Sequence, residues 1–382
     1  MALPRRLSRR LAAATPLALW LAALPAAAHS VSDEASIGFT QQNNRNPRTG
    51  FLADSLRGTL TLSDALSFRL GVTLTHDNPS PPAKGTRWGD TGGNIFAALL
   101  GVDWTVNDHV GLGAELDGSP PNIQRNGTTV EFLDAQRTTA TADALLKATS
   151  SSEGALLSFS YDTAGDSDTE TAVDFSVAGT RFDTGQSLAR IEQNGVAVTA
   201  QQVREQCAAA TTSTQLATCR ALRPALRGED VTLAQLVLKA AVTETLFTDT
   251  DVTLGGAWYL YDQDPTQVGY FSTLALGRSQ GLQFGSGVPL SPQLFVLRPE
   301  LFHRFGPFWV SGWYQYTRYV DNEGDGHGLG LKLQYTLGKR VRLWASGTWQ
   351  RDLQPAEPSA TGAARNQVTV SSSGAAGVKI SW

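Results

Sequence analysis

The chain has 382 residues with 31 basic and 35 acidic side chains, a formal charge of −4, and 41% hydrophobic residues. Two cysteines exclude a disulfide-built miniature scaffold, 9 Trp, 8 Tyr and 15 Phe exclude a disordered chain, and the lack of basic excess gives no sign of a nucleic-acid partner. The length suits two or three ordinary domains or one large barrel.

Residues 1–28 read as an export signal. Arg5, Arg6, Arg9 and Arg10 form the basic start, Leu11 to Leu24 the apolar stretch, and Ala26, Ala27 and Ala28 a small-residue cleavage site before His29. The apolar stretch is short of the ~20 residues a spanning helix needs. Removing it leaves 27 basic and 35 acidic residues, a charge of −8, and no later run long enough for a transmembrane helix.

The remainder, 29–382, alternates with period 2. Leu66, Phe68, Leu70, Val72 and Leu74 share one face of a predicted strand, as do Phe96, Ala98, Leu100, Val102 and Trp104 of the next. Short turns are predicted at Ser63-Asp64, Asn107-Asp108, Thr248-Asp249, Gly306-Pro307 and Gly338-Lys339. Longer polar connections are predicted at 77–93, 118–139, 262–267, 320–327 and 353–366. Stretches 140–150 and 281–287 are weak strands.

Residues 183–230 break the alternation and are expected to form a partly helical insertion, with two short helices joined near Thr211 to Thr214. Cys207 and Cys219 flank that join, and in an exported chain they are expected to pair as a disulfide. Closing such a loop would stabilise the segment by about 3 kcal/mol in the chain-entropy description. Two thiols without an adjacent His are too few ligands for a metal. The insertion would serve as a cap, a constriction, a periplasmic handle or simple cover.

Alternation resumes with Val252, Leu254, Gly256, Trp258 and Leu260 on one face, and with Leu329, Leu331, Leu333, Tyr335 and Leu337 on another. Phe308, Trp309, Trp313, Tyr314, Tyr316 and Tyr319 crowd the strand between them, and Trp344, Trp349 and Trp382 lie near other strand ends. Rings gather at membrane–water boundaries. The last strand places Val368, Val370, Ala376, Val378, Ile380 and Trp382 on one face and stops on the aromatic.

That ending, with its short turns, long loops and strands near ten residues, resembles Gram-negative outer-membrane β-barrel proteins of the porin-like class. The resemblance implies an all-β, antiparallel, up-and-down transmembrane barrel in the cell outer membrane. It also implies an assembly signal at Val378, Ile380 and Trp382 for the barrel-assembly machinery, and lipid and lipopolysaccharide as surroundings. About 16 strands are expected, with 14 to 18 admissible.

Residues that would carry chemistry are sparse. His76, His109, His303 and His327 are scattered, and no serine–histidine–acid arrangement of a membrane hydrolase is evident. Asp321, Glu323, Asp325 and His327 have a spacing that suits a hard cation but lack the further ligands of a calcium loop, so a solvated acidic loop is the simpler reading. Asp162, Asp166, Asp168 and Glu170 read the same way. Neither enzymatic activity nor a cofactor is expected.

If the apolar faces meet lipid, Arg69, Lys239, Arg298, Arg304, Lys332, Arg342 and Lys379 point inward, against Asp103, Glu115, Asp174 and Glu300. An inward basic excess favours anions. The expectation is therefore a passive channel or uptake pore for small solutes with anion preference. The alternative is a non-conducting structural or adhesive barrel acting through its loops. An apolar-substrate transporter would need an apolar pocket and an N-terminal plug, for which only Ser30 to Asn46 is available.

Overall fold

The computed structural model describes residues 29–42, 49–78, 92–133, 139–163, 170–193, 196–209, 226, 228, 230–265, 293–320, 324–354 and 367–382. The predicted signal 1–28 lies outside them, as do the weak strand 281–287 and the join at Thr211 to Thr214. In chain order the strands are β1 His29–Gln42, β2 Thr49–Ser63, β3 Leu66–Asn78, β4 Gly92–Thr105, β5 Val110–Leu133, β6 Thr139–Asp162 and β7 Glu170–Gln193. A two-residue β8 Val196–Ala197 and the helix α1 Ala200–Ala208 follow. The rest are β9 Asp230–Phe247, β10 Thr250–Tyr261, β11 Gln293–Phe305, β12 Phe308–Tyr319, β13 Asp325–Leu337, β14 Val341–Gln354 and β15 Gln367–Ser381.

Every strand except β8 pairs antiparallel with two neighbours, giving a ring of 14 strands among the described residues. The ring closes where β1 meets β15, from Ser32↔Ser381 to Gln42↔Ser371. The terminal residue completes the seam: the Trp382 N–H donates to the Val31 carbonyl at 2.8 Å. Closure leaves no strand edge within the ring, which is what a sheet in hydrocarbon requires. No described helix is long and apolar enough to cross a membrane.

The expected 16 strands are thus corrected to 14, and the error has a definite source. Strands β5, β6 and β7 are 24 residues each, against 12 for β10 and β12. Most of the loop predicted at 118–139 is strand, with Asn126↔Leu146 to Leu133↔Thr139 continuing the β5–β6 ladder. Residues 183–193 of the predicted insertion likewise belong to β7. Strand β4 accompanies β5 as far as Arg125 and β9 accompanies β7 as far as Gly185, so the three-stranded tongue runs eight residues, about 27 Å at ~3.4 Å each, past its neighbours. Of Ser30 to Asn46, the stretch available for a plug, the described part to Gln42 belongs to strand β1.

The insertion sits at the long-loop end, because β7 ascends to it and β9 descends from it. Its described helical part is the helix α1, with a helical residue at Leu226; the stretch after Thr214 where the second helix is predicted lies otherwise outside the described residues. Thr199 caps α1 by a reciprocal capping box with Gln202, and Arg204 Nη2 donates to the Leu226 carbonyl at 2.8 Å.

Side chains sort by parity. Leu70, Leu100, Leu116, Leu157, Leu254, Leu301 and Leu331 are exposed on the outer face. Phe68, Trp104, Phe159, Tyr161, Phe305, Phe308 and Trp382 ring the short-turn end, and Phe39, Phe96, Trp258, Tyr314 and Trp349 the other. Phe96 and Trp104 are eight residues apart on β4, which is about 21 Å along the axis at a ~40° tilt and fits an outer-membrane apolar band.

Large inward side chains lie over glycines of the next strand. Trp313 covers Gly330, Trp344 covers Gly377, Phe51 covers Gly38 and Arg69 covers Gly101, each directly opposite in register. Phe39 covers Gly374 in the same way on the outer face. A Cβ at Gly330 would overlap the Trp313 indole, and one at Gly377 would lie 2.7 Å from Trp344. Gly330→Val and Gly377→Val are therefore expected to destabilise the barrel by about 1–3 kcal/mol through overpacking. Urea unfolding of vesicle-inserted protein, followed by tryptophan fluorescence, checks this.

Candidate functional site: the inner wall of the barrel

The inner wall is built by the residues that alternate with the apolar outer belt, and it is mostly small or hydroxylated. Ser55 and Thr73 share a hydrogen bond at 3.1 Å, Thr243 and Thr253 at 2.9 Å, and Thr348 and Ser373 at 2.5 Å. Four of the larger groups, Phe51, Arg69, Trp313 and Trp344, lie against glycines of the next strand.

Parity and register put all eight sequence-predicted lumen residues, Arg69, Lys239, Arg298, Glu300, Arg304, Lys332, Arg342 and Lys379, on this inner face. They do not form one ring. Arg69 is held by two acids, Asp103 at 2.6 Å and Glu115 at 2.9 Å. Arg298 pairs with Glu300 at 3.0 Å and lies 4.4 Å from the Trp313 ring centre.

The remaining cations of β11–β15 stand on indoles. Arg304 and Arg342 both approach Trp309, at 5.6 and 4.9 Å, and Lys332 approaches Trp344 at 5.5 Å. Lys379 is the register partner of Arg342. Indole faces attract cations without neutralising their charge. Trp309, Trp313, Tyr319 and Trp344 therefore belong to the inner wall, which corrects their expected place at the membrane boundary. Only Phe308, Tyr314 and Tyr316 of the β12 cluster take the outer parity.

The same parity reveals inward charges that the sequence reading left out: Arg57, Glu34, Asp117, Asp251 and Asp352. Alternation continued from Glu115 would have found Asp117, and from Ser346 would have found Asp352. Both sit where strands were cut short in favour of loops. Asp162 and Glu170, read as loop residues in the sequence, also take the inner parity at the ends of β6 and β7. Counting all of these, the described inner wall carries eight basic and ten acidic groups, including the Asp103, Glu115 and Asp174 already predicted.

A second polar feature lies at the long-loop end of β12 and β14. The Tyr319 hydroxyl donates to Asp352 Oδ1 at 2.5 Å, and Gln350 Nε2 donates to both, at 3.1 and 2.8 Å. Tyr319 and Asp352 are fully buried. Gly326 makes the room, since a Cβ there would overlap Asp352 Oδ1.

The histidines serve strand ends. His76 Nδ1 meets Asn94 Oδ1 at 2.8 Å, His303 Nδ1 meets Thr250 Oγ1 at 2.7 Å, and His327 Nδ1 meets the Tyr314 hydroxyl at 2.6 Å. His109 Nδ1 bonds the Asp162 carbonyl at 2.9 Å. Asp325 and His327 fall within β13, and Asp321 and Glu323 lie outside the described residues, as do Asp166 and Asp168. No group of three metal-binding side chains occurs among the described residues. Cys207 lies on α1 and Cys219 outside the described residues. Val378, Ile380 and Trp382 share the outer parity beside the seam.

Replacing Asp352 by Ala would leave the buried Tyr319 hydroxyl and Gln350 amide without their shared acceptor. The expected cost is about 1–3 kcal/mol, with Asp352→Asn milder because it keeps an acceptor. Urea midpoints of the two variants in vesicles provide the comparison.

Neither a protein-family model nor a curated protein matches the sequence. Solved structures do match the fold. A crystal structure of a Pseudomonas aeruginosa FadL homologue aligns over 93% of this chain and 90% of its own, with 8% identity and a TM-score of 0.51. The CymD monoaromatic hydrocarbon channel aligns over 92% and 87%, with 9% identity and a TM-score of 0.48. The Ralstonia pickettii toluene transporter TbuX aligns over 94% and 92%, with 11% identity and a TM-score of 0.47. At such low identity the first likeness establishes the architecture: the chain has the fold of an outer-membrane β-barrel.

Proposed function

We propose that this chain is an outer-membrane barrel that admits small polar solutes passively. The observation that carries the reading is the division of the wall: an apolar belt between two aromatic rings outside, and small, hydroxylated and charged residues inside, with four of the bulky ones laid against glycines. Fourteen strands lie between the about eight that only pack side chains and the 16 or more of water-filled porins. In this reading Arg69, Lys239, Arg298, Glu300, Arg304, Lys332, Arg342 and Lys379 line the path. Residues 1–28 direct export, and 29–382 form the barrel. Val378, Ile380 and Trp382 present the chain to the barrel-assembly machinery, and the outer belt meets lipid and lipopolysaccharide. No enzymatic step enters it.

The expected anion preference weakens on this reading. It rests on an inward basic excess, and ten inward acids against eight bases leave no positive charge to carry it. The pairing of Cys207 with Cys219 would staple the segment after α1 at the long-loop end, where it would cover part of the mouth.

A second reading, a surface-structural barrel, is favoured by the tongue of β5, β6 and β7, which extends well past the other strands. Planar-bilayer conductance of refolded protein separates the two. Steady conductance is expected for the channel, rising on reduction if the stapled segment lies over the mouth. Silence with and without reductant, from protein shown to be folded, overturns the channel in favour of the structural role.

A further inference from the structure

We infer that the half of the lumen near the short turns is a transverse electrostatic filter that favours small zwitterions, solutes carrying both a carboxylate and an ammonium group. The inference rests on the channel reading and adds to it a substrate class and the residues that select it.

The ring order gives the geometry. In a closed ring of 14 strands, the strand seven places on is diametrically opposite, so β4, β5, β6 and β7 face β12, β13, β14 and β15. The inward charges divide along that diameter. The seven-strand half β11–β15, β1 and β2 carries six basic and three acidic inward groups, and the half β3–β7, β9 and β10 carries two basic and seven acidic. The small net charge of the whole wall therefore hides a strong dipole across it.

Local contacts preserve the separation. On the acidic side Arg69 is shared by Asp103 and Glu115, and Lys239 stands two residues from Ala241, the register partner of Asp174. Asp117 and Asp174 have no ion pair among the described residues. On the basic side Lys332 and Arg342 rest on indoles, which hold a cation in place and leave its charge uncompensated. Lys379 stands between Arg342 on one side and Glu34 on the other, so the uncompensated charge rests chiefly on Lys332 and Arg342. Lys332, Arg342 and Lys379 lie within five residues of the short-turn ends of their strands, and Asp117 and Asp174 within seven. The opposed charges thus occupy the same half of the barrel.

The consequence is a field that runs across the path instead of along it. A 14-strand ring has a backbone diameter of about 28 Å, and low-dielectric walls focus the field between the two arcs. An anion gains on one side what it loses on the other. A zwitterion gains on both, by turning its carboxylate toward β13–β15 and its ammonium toward β5–β7.

Two measurements on folded, refolded protein test this. In a salt gradient across a planar bilayer, the wild type is expected to discriminate K⁺ from Cl⁻ by no more than about twofold. K332Q/R342Q/K379Q is expected to shift the ratio at least about threefold toward K⁺, and D117N/D174N toward Cl⁻. In vesicle swelling, β-alanine is expected to enter faster than its neutral isomer lactamide, with the advantage lost in both variants. Conductance in which neither variant moves the ion ratio, or an unchanged β-alanine to lactamide ratio, overturns the filter and leaves the channel standing. Absence of conductance from folded wild type overturns both.

Discussion

The structure depends on one constraint, the cost of an unpaired backbone group in hydrocarbon. Each such group costs several kcal/mol, so a sheet in a membrane has to meet itself. Here the meeting is between the first and last strands, and it runs from Ser32 and Ser381 to Gln42 and Ser371, with Trp382 and Val31 exchanging two more bonds. Everything else follows from closure. Once the edges are gone, each residue has only two directions, and alternation alone decides whether it meets lipid or the lumen.

Closure also explains how inward charges scattered along the chain come to stand opposite one another. Residues on one strand share a sector of the circle, and a sequence lists sectors one after another around it. A chain whose residues 103–251 are mostly acidic inside and whose residues 298–379 are mostly basic inside becomes, when wrapped, a cylinder with opposed faces. Glu115, Asp117 and Asp174 lie far in sequence from Lys332, Arg342 and Lys379, and the ring places them across a diameter. The indoles of Trp309 and Trp344 keep the basic arm near the wall, which maintains the separation at little steric cost to the path.

Much of this was legible in the sequence, because period 2 survives wherever one face meets lipid. The strands around Leu66 to Leu74, Leu329 to Leu337 and the C-terminal tryptophan show it openly, and the five tight turns are where their Gly, Pro and Asp residues suggested. Legibility failed where the strands leave the membrane. Beyond Ser119 and before Ser150 the alternation of the sequence fades and Pro120 and Pro121 imitate a loop, although β5 and β6 continue. Glu34 was missed for a related reason: β1 is rich in Ser and Gln, and its outer face carries Asp33 beside Ile37. The charge balance failed with those boundaries, since Asp117, Asp352 and Glu34 all lie where a strand was cut short or not recognised. The burial of Tyr319 against Asp352 could not be read at all, because it joins strand positions 33 residues apart.

The aromatic–glycine pairs have a consequence for how the ring is completed. Three of them border the seam: Phe51 on Gly38, Phe39 on Gly374 and Trp344 on Gly377. A pairing slipped by two residues keeps every side chain on its proper face, so hydrophobicity cannot detect it. It would, however, set Phe51 against Ser36 or Thr40, Phe39 against Ser372 or Ala376, and Trp344 against Ala375 or Lys379. None of these leaves the hollow that a glycine does. The ring aromatics thus act as a vernier for the last strands to dock, and the barrel can be sealed flush only in one alignment.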